Sequence, residues 1–335
     1  MPSIEKPVLS SSLPTLHLDL LLAADLNERR KLLNACRSHG FFYLDLSSDL
    51  QMMGYWEQML ETMKDYFEQP LEVKMEDARG SDNTGYEPMG TEVGPFGMTR
   101  DGYESLKVSR REHLQGHAEL TTSIRDKTPF IFDFMRKSHE ITMMMCERLS
   151  DEMGLSGSDR FESFHSTESP TLTNLAWLRY PKYDSISPDT VGHNKHTDIG
   201  SLTLLFAKQW GLQILSPDAK TWAFVKPRPG HAVVNVGDSL HFPSGRRLAS
   251  VVHRVIPVAD KQMEDRYSIA YFLRVHDLTP WVDSTGKEWT AKEWHDFKFD
   301  AFRSPDTKEN GEQVLTGMME DGDILRRPCW GTEEA

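Results

Sequence analysis

The sequence predicts a mainly β core with flanking helices, and two textures along its 335 residues predict it. From 171 to 275, short β-branched and aromatic runs (LTNLAWLRY, SLTLLF, GLQIL, WAFVK, HAVVNV, VVHRVIPV, RYSIAYFLRV) follow one another with turns between them. Many short strands in that order make a sandwich or barrel. Before them, apolar residues recur every three or four positions, the period of helices packed on such a core.

In chain order, residues 26–37 and 50–77 carry helical spacing (Tyr55, Met59, Met63, Phe67), with the strand-like GFFYLDL at 40–46 between them. A long helix is expected over 123–153, where Ile131, Phe134, Ser138, Ile141, Met145, Leu149 and Met153 share one face and Gly154 ends it. At that spacing Met143, Met144 and Met145 read as core packing rather than as metal ligands. After the strands, Thr290 and Glu293 form a T-x-x-E capping box opening TAKEWHDFKFDAF, and the acidic tail beyond 304 is expected to be partly mobile.

Composition narrows the function. The balance of 38 Lys+Arg against 51 Asp+Glu gives −13, which repels phosphate backbones and disfavours nucleic acid as a partner. The N-terminus lacks a basic region followed by an unbroken apolar run, so no signal peptide is expected, and no run approaches the 18 apolar residues of a membrane span. Cys36, Cys146 and Cys329 are odd in number and far apart, which fits a reducing compartment and a cytoplasmic location.

The chemistry concentrates in three places. His196-Thr197-Asp198 stands between Gly192 and Gly200 in front of SLTLLF, and strand alternation puts His196 and Asp198 on one face. The motif alone is weak with 13 histidines in the chain, and His17-Leu18-Asp19 is a second copy. The first copy gains a partner in His253 of VVHRVIPV, and two histidines plus a carboxylate on strands suit non-haem Fe(II) with open positions. Arg266-Tyr267-Ser268 then offers a guanidinium fork and a hydroxyl on one face, a carboxylate clamp. Ala270, Phe272 and Arg274 share that face, although Arg274 reads equally well as a strand-end surface charge.

Together with GLQIL, NVGD and HRV, this ordered set closely resembles the 2-oxoglutarate/Fe(II) dioxygenase superfamily, in its isopenicillin-N-synthase-like branch. The resemblance implies a double-stranded β-helix (jelly roll) over 171–275. It also implies an N-terminal cap over 1–120, carrying LPTLHLDL and SHGFFYL, and a core with its helix and C-terminal helix and tail over 121–335. It further implies that His196, Asp198 and His253 bind Fe(II), that Arg266, Ser268 and Tyr180 hold 2-oxoglutarate, that O2 is cosubstrate and that ascorbate is supportive. Leu178 stands where the family has Asn, and the interval from His253 to Arg266 is longer than usual. Asn235 and Asp238 of NVGD, with His231 and His241 beside them, read as structural.

The implied reaction oxidises a C–H bond by hydroxylation, desaturation or ring rearrangement, releasing succinate and CO2. Phe272 and Arg274 suit a small, partly apolar substrate with a phenolate, carboxylate or other acceptor, a specialised metabolite rather than a macromolecule. The Gly-rich segment 85–104 reads as a lid over the barrel or as a plain surface loop. Two other readings stand beside this one: an Fe(II) oxidase that does not use 2-oxoglutarate, and a metal-free small-ligand module. Oligomeric state is open.

Overall fold

The structure is a computed structural model that describes residues 9–92, 94, 100–116, 124–166, 169–183, 192–216, 221–258, 262–303 and 315–317. The lid segment's residues 93 and 95–99, most of the tail beyond 304 and Cys329 lie outside them.

The N-terminal part runs β1 (Thr15–His17), α1 (Leu18–Leu22), α2 (Leu26–Ser38), β2 (Phe41–Asp45), α3 (Leu50–Phe67), α4 (Leu71–Met75), β3 (Gly85–Glu87), β4 (Glu104–Ser109) and α5 (Arg110–Leu114). The helix expected over 50–77 is thus two helices. Proline restricts the residue before it and cannot donate within a helix, so α3 ends before Pro70 and α4 begins just after it. The long helix α6 (Thr128–Glu152) buries Ile131, Phe134, Ser138, Ile141, Met145 and Leu149 along one stripe. Met144 and Met145 lie in the core and Met143 packs against it, so the methionines are packing residues.

The strands that follow are β5 (Asn174–Tyr180), β6 (His193–His196), β7 (Leu202–Ala207), β8 (Leu212–Leu215), β9 (Trp222–Phe224) and β10 (His231–Val236). After the short α7 (Asp238–His241) come β11 (His253–Val255), β12 (Arg266–Leu273), a hairpin of β13 (Pro280–Val282) and β14 (Glu288–Thr290), and α8 (Ala291–Arg303). The expected capping box opens α8: Thr290 N–H donates to Glu293 Oε2 (2.8 Å) and Glu293 N–H to Thr290 Oγ1 (3.3 Å).

One sheet has eight strands in the order β1-β2-β10-β7-β12-β5-β4-β3, and a second has four in the order β6-β11-β8-β9. The period-2 alternation of the large sheet decides what each face does. Leu175, Trp177, Leu202, Leu204, Phe206, Ile269, Tyr271 and Leu273 point to the helices and merge with α2, α3 and α6 into the main core. The opposite face presents Ala176, Leu178, Tyr180, Leu205, Ala270 and Phe272, together with Arg266 and Ser268. This inner face lines the cavity between the sheets. Residues 85–104, expected as lid or loop, supply at their ends β3 and the start of β4, which extend the same sheet.

Candidate active site

β6 and β11 pair antiparallel with His196 directly opposite His253, so sheet register brings two residues far apart in sequence side by side, ring centroids 4.3 Å apart. Asp198 Oδ1 lies 3.5 Å from Nε2 of each histidine, and all three side chains are buried. The expectation that His196 and Asp198 open a strand is corrected: His196 closes β6 and Asp198 sits in the turn leading to β7. The turn serves the same end, because Thr197 points away into its own network while its two neighbours converge.

The proton positions follow from what surrounds each ring. His196 Nδ1 lies 2.7 Å from the Asn194 carbonyl and His253 Nδ1 3.0 Å from that of Val251. A carbonyl only accepts, so each Nδ1 carries the proton and each Nε2 offers a lone pair to the centre. Asp198 Oδ2 accepts from Thr203 Oγ1 (2.5 Å) and Asn235 Nδ2 (2.7 Å), which leaves Oδ1 for the centre. Burial works to raise the Asp198 pKa, but the pull of the neighbouring rings whenever they are protonated outweighs it and holds the carboxyl well below its ordinary value. Burial pushes His196 down, keeping it neutral. Two imidazole nitrogens and one carboxylate oxygen at one corner of a cavity fit a divalent iron that keeps further positions open.

On the same cavity wall, Arg266 donates through Nη1 to Ser268 Oγ (3.2 Å) and through Nε to the Trp210 carbonyl (3.0 Å), with its guanidinium 5.0 Å from the Tyr180 ring centre. The residues expected to form a clamp are therefore together. Gly211 makes room for it: its φ is +140°, and a Cβ there would stand 2.8 Å from Arg266 Nε. Leu178, at the family's Asn position, is an apolar part of this wall, paired in register with Ser268. Of the long connection to Arg266, residues 259–261 are outside the described ones, and Gln262 donates to the carbonyls of Tyr180 and Pro181.

Arg274 is not a surface charge: it is buried and lines the cavity with Phe272. Asn235, near the end of β10, also donates directly to Asp198, a contact that sequence reading did not foresee. Asp238 holds Lys298, Ser250 and Trp294, and His231 and His241 bond to the carbonyls of Pro229 and Leu248, as structural residues would. Sequence reading missed His193, stacked on His196 at 4.3 Å, and missed Glu92, Tyr103, Phe299 and Phe302 on the cavity wall. No sequence signal pointed to His193, since strand alternation sets residues three apart on opposite faces; a register irregularity between β6 and β11 brings the two rings together. His17 faces Asp45 and belongs to no metal-ligating cluster among the described residues.

Residues 173–275 match the 2OG-Fe(II) oxygenase superfamily, and residues 13–126 match the N-terminal region of the non-haem dioxygenases in morphine synthesis. The chain is 45% identical over 318 residues to the 2-oxoglutarate-dependent dioxygenase frbH of Dothideomycetidae sp., covering 95% of this chain and 99% of that protein. The chain belongs to the 2OG-Fe(II) oxygenase superfamily. This oxygenase is also 46% identical over 302 residues to the oxidoreductase vrtI of Penicillium aethiopicum, covering 90% and 73% of the two chains. Among solved structures it resembles a full-length Neurospora crassa protein crystallised in complex with alpha-KG, with a TM-score of 0.70 and 25% identity over 83% of this chain and 93% of that one. It is a non-haem oxygenase with a double-stranded β-helix core that uses Fe(II) and 2-oxoglutarate. No described helix is long and apolar enough to cross a membrane.

Proposed function

We propose that His196, Asp198 and His253 hold the iron and that Arg266, Ser268 and Tyr180 grip the far carboxylate of 2-oxoglutarate. Phe272 and Arg274 then face a small specialised metabolite whose C–H bond is oxidised. One observation carries this reading: two lone-pair nitrogens and one carboxylate oxygen meet at the corner of a cavity whose wall bears a buried guanidinium. Fe(II), when bound, supplies the site at which O2 is reduced at the expense of 2-oxoglutarate, which leaves as succinate and CO2. The chain's own part is to hold and dry the site. Arg266 fixes the cosubstrate by a charge-assisted bond. Phe41 against His253 (5.3 Å) and Phe302 against His196 (5.5 Å) exclude water around the ligands.

On this reading the cap ends near residue 120 and the core from 121 carries the chemistry. The acidic chain selects small molecules over nucleic acid, and the buried free thiols of Cys36 and Cys146 suit the cytoplasm.

The test is succinate formation from 2-oxoglutarate by anaerobically purified protein given Fe(II), ascorbate and O2, with and without small aromatic and polyketide-like candidates. The expected result is succinate whose rate rises with a candidate substrate. Iron binding without succinate under any condition would instead favour an oxidase that spares 2-oxoglutarate. Arg266→Ala is expected to raise the KM for 2-oxoglutarate about 30-fold or more, the consequence of removing one partner of a buried charge pair. An unchanged KM would remove Arg266 from the clamp.

A further inference from the structure

Among the described residues four cationic side chains are buried: Lys74, Lys298, Arg266 and Arg274. The lysines follow the rule that a buried charge has a partner, Lys74 on Glu104 (2.6 Å) and Lys298 on Asp238 (2.7 Å). The arginines do not. Arg266 is 3% and Arg274 8% exposed, neither makes an ion pair among the described residues, and both line the cavity at the metal site. For Arg266 the missing anion is the 2-oxoglutarate carboxylate. Arg274 carries the same signature in the other half of the cavity, and burial, which draws its pKa down to about 10, still leaves it charged at neutral pH.

The free edge of Arg274 says what it awaits. Its Nη1 is committed to two neutral acceptors, Asn83 Oδ1 (3.1 Å) and the Leu172 carbonyl (3.0 Å), whereas the buried Nε has no partner. No hydrogen bond of Nη2 is found among the described residues either, so the Nε–Nη2 edge, the one that takes a carboxylate side-on, is unpaired. The stem is fixed beside the metal-binding turn, since a Cβ on Gly200 would meet Leu273 O at 2.5 Å and Arg274 Cγ at 3.3 Å. Between Arg274 and the pair His196 and Asp198 lies a cavity walled in part by Leu178, Phe272, Phe299 and Phe302. Those walls suit a molecule with an apolar body.

We propose that the substrate is a small carboxylic acid, anchored by its carboxylate on the Nε–Nη2 edge of Arg274 and oxidised at a carbon on the apolar part of the molecule, away from that carboxylate. The assignment rests on the iron and 2-oxoglutarate reading above and narrows it to one substrate class.

The test uses the holoenzyme loaded with Fe(II) and 2-oxoglutarate without O2. Visible absorption of the iron–cosubstrate chelate confirms loading, and iron-induced broadening of ligand NMR lines reports binding beside the metal. The probes are phenylacetate and 3-phenylpropionate, each with its methyl ester and primary amide. Acids alone are expected to broaden, with ring protons affected most, and Arg274→Gln is expected to weaken them about 30-fold or more. Arg274→Lys, which keeps the charge but loses the fork, is expected to bind the acids more weakly than wild type and still prefer them to the amides. That variant decides the matter if Arg274→Gln fails to load. Esters or amides binding as well as acids, acids failing to bind wild type at millimolar concentration, or Arg274→Gln binding them undiminished would each overturn the carboxylate anchor. A wild-type protein that forms no chelate would overturn the cosubstrate reading, and the anchor with it.

Discussion

Asp198 divides its two oxygens: Oδ2 is occupied by Thr203 and Asn235, and Oδ1 is left for the proposed metal. Groups that orient a metal ligand typically contribute 10- to 100-fold in affinity. Asn235→Ala is therefore expected to weaken Fe(II) binding by about that factor while His253→Ala abolishes it, measured by anaerobic metal titration. Equal affinity in Asn235→Ala and wild type would show that Thr203 alone orients the carboxylate. The contrast also marks what a sequence displays at this scale. His196, Asp198, His253, Arg266 and Ser268 are legible because their side chains have chemistry that few other patterns supply. Asn235 and Thr203 are not, because their role is a contact made across strands β10 and β7, and an Asn in NVGD looks like any turn residue until the strands pair. Arg274 sat between, since alternation placed it on the inner face but only packing around the strand end could decide between cavity and solvent.

Helix α8 is tied to the turn that carries His196, Thr197 and Asp198 by a buried ion pair. Lys298 Nζ donates to Asp238 Oδ2, to Thr197 Oγ1 and to the Thr197 carbonyl, each at 2.7 Å, while Trp294 Nε1 and Ser250 Oγ also donate to Asp238. Thr197 is the residue between two proposed ligands, so the helix holds the backbone on which their convergence depends. Lys298→Met leaves a fully buried carboxylate without its cation and is expected to cost about 3–5 kcal/mol in chemical denaturation. The double variant with Asp238→Asn is expected to regain most of that stability yet still bind iron more weakly than wild type. Wild-type metal affinity in the double variant would make the ion pair purely structural. Periodicity revealed α8, its capping box and most strands, because these are local. It joined α3 to α4 across Pro70, and it hid β3 inside a Gly-rich stretch and β4 at that stretch's end, because short strands near a sheet edge are defined by their neighbours.

At the scale of the whole molecule, the fold buries imidazoles as neutral groups beneath and beside the large sheet. His139 on α6 bonds through Nδ1 to the Tyr271 hydroxyl (2.9 Å), and His165 lies between the Phe161 carbonyl and Ser201 Oγ, both at 2.8 Å. Burial, aided by neighbouring cationic or imidazole groups, lowers His139 to about 3 and His165 to about 4. An unfolded histidine titrates near 6.5, so between about 6.5 and 4 the unfolded chain binds protons that the folded chain does not. Stability contributed by these two residues is complete above that window and falls as the pH drops through it, by up to about 1.4 kcal/mol per pH unit for each. Metal-free protein unfolded with denaturant at pH 6.5, 5.5 and 4.5 is expected to lose stability steeply, and His139→Gln with His165→Gln to lose it more gently, by close to two protons' worth of slope. The comparison cancels the metal ligands and the carboxylates, which both proteins share. A slope unchanged by the double substitution would mean that acid opens the structure elsewhere, at the carboxylates, and that these imidazoles are protonated within the folded state.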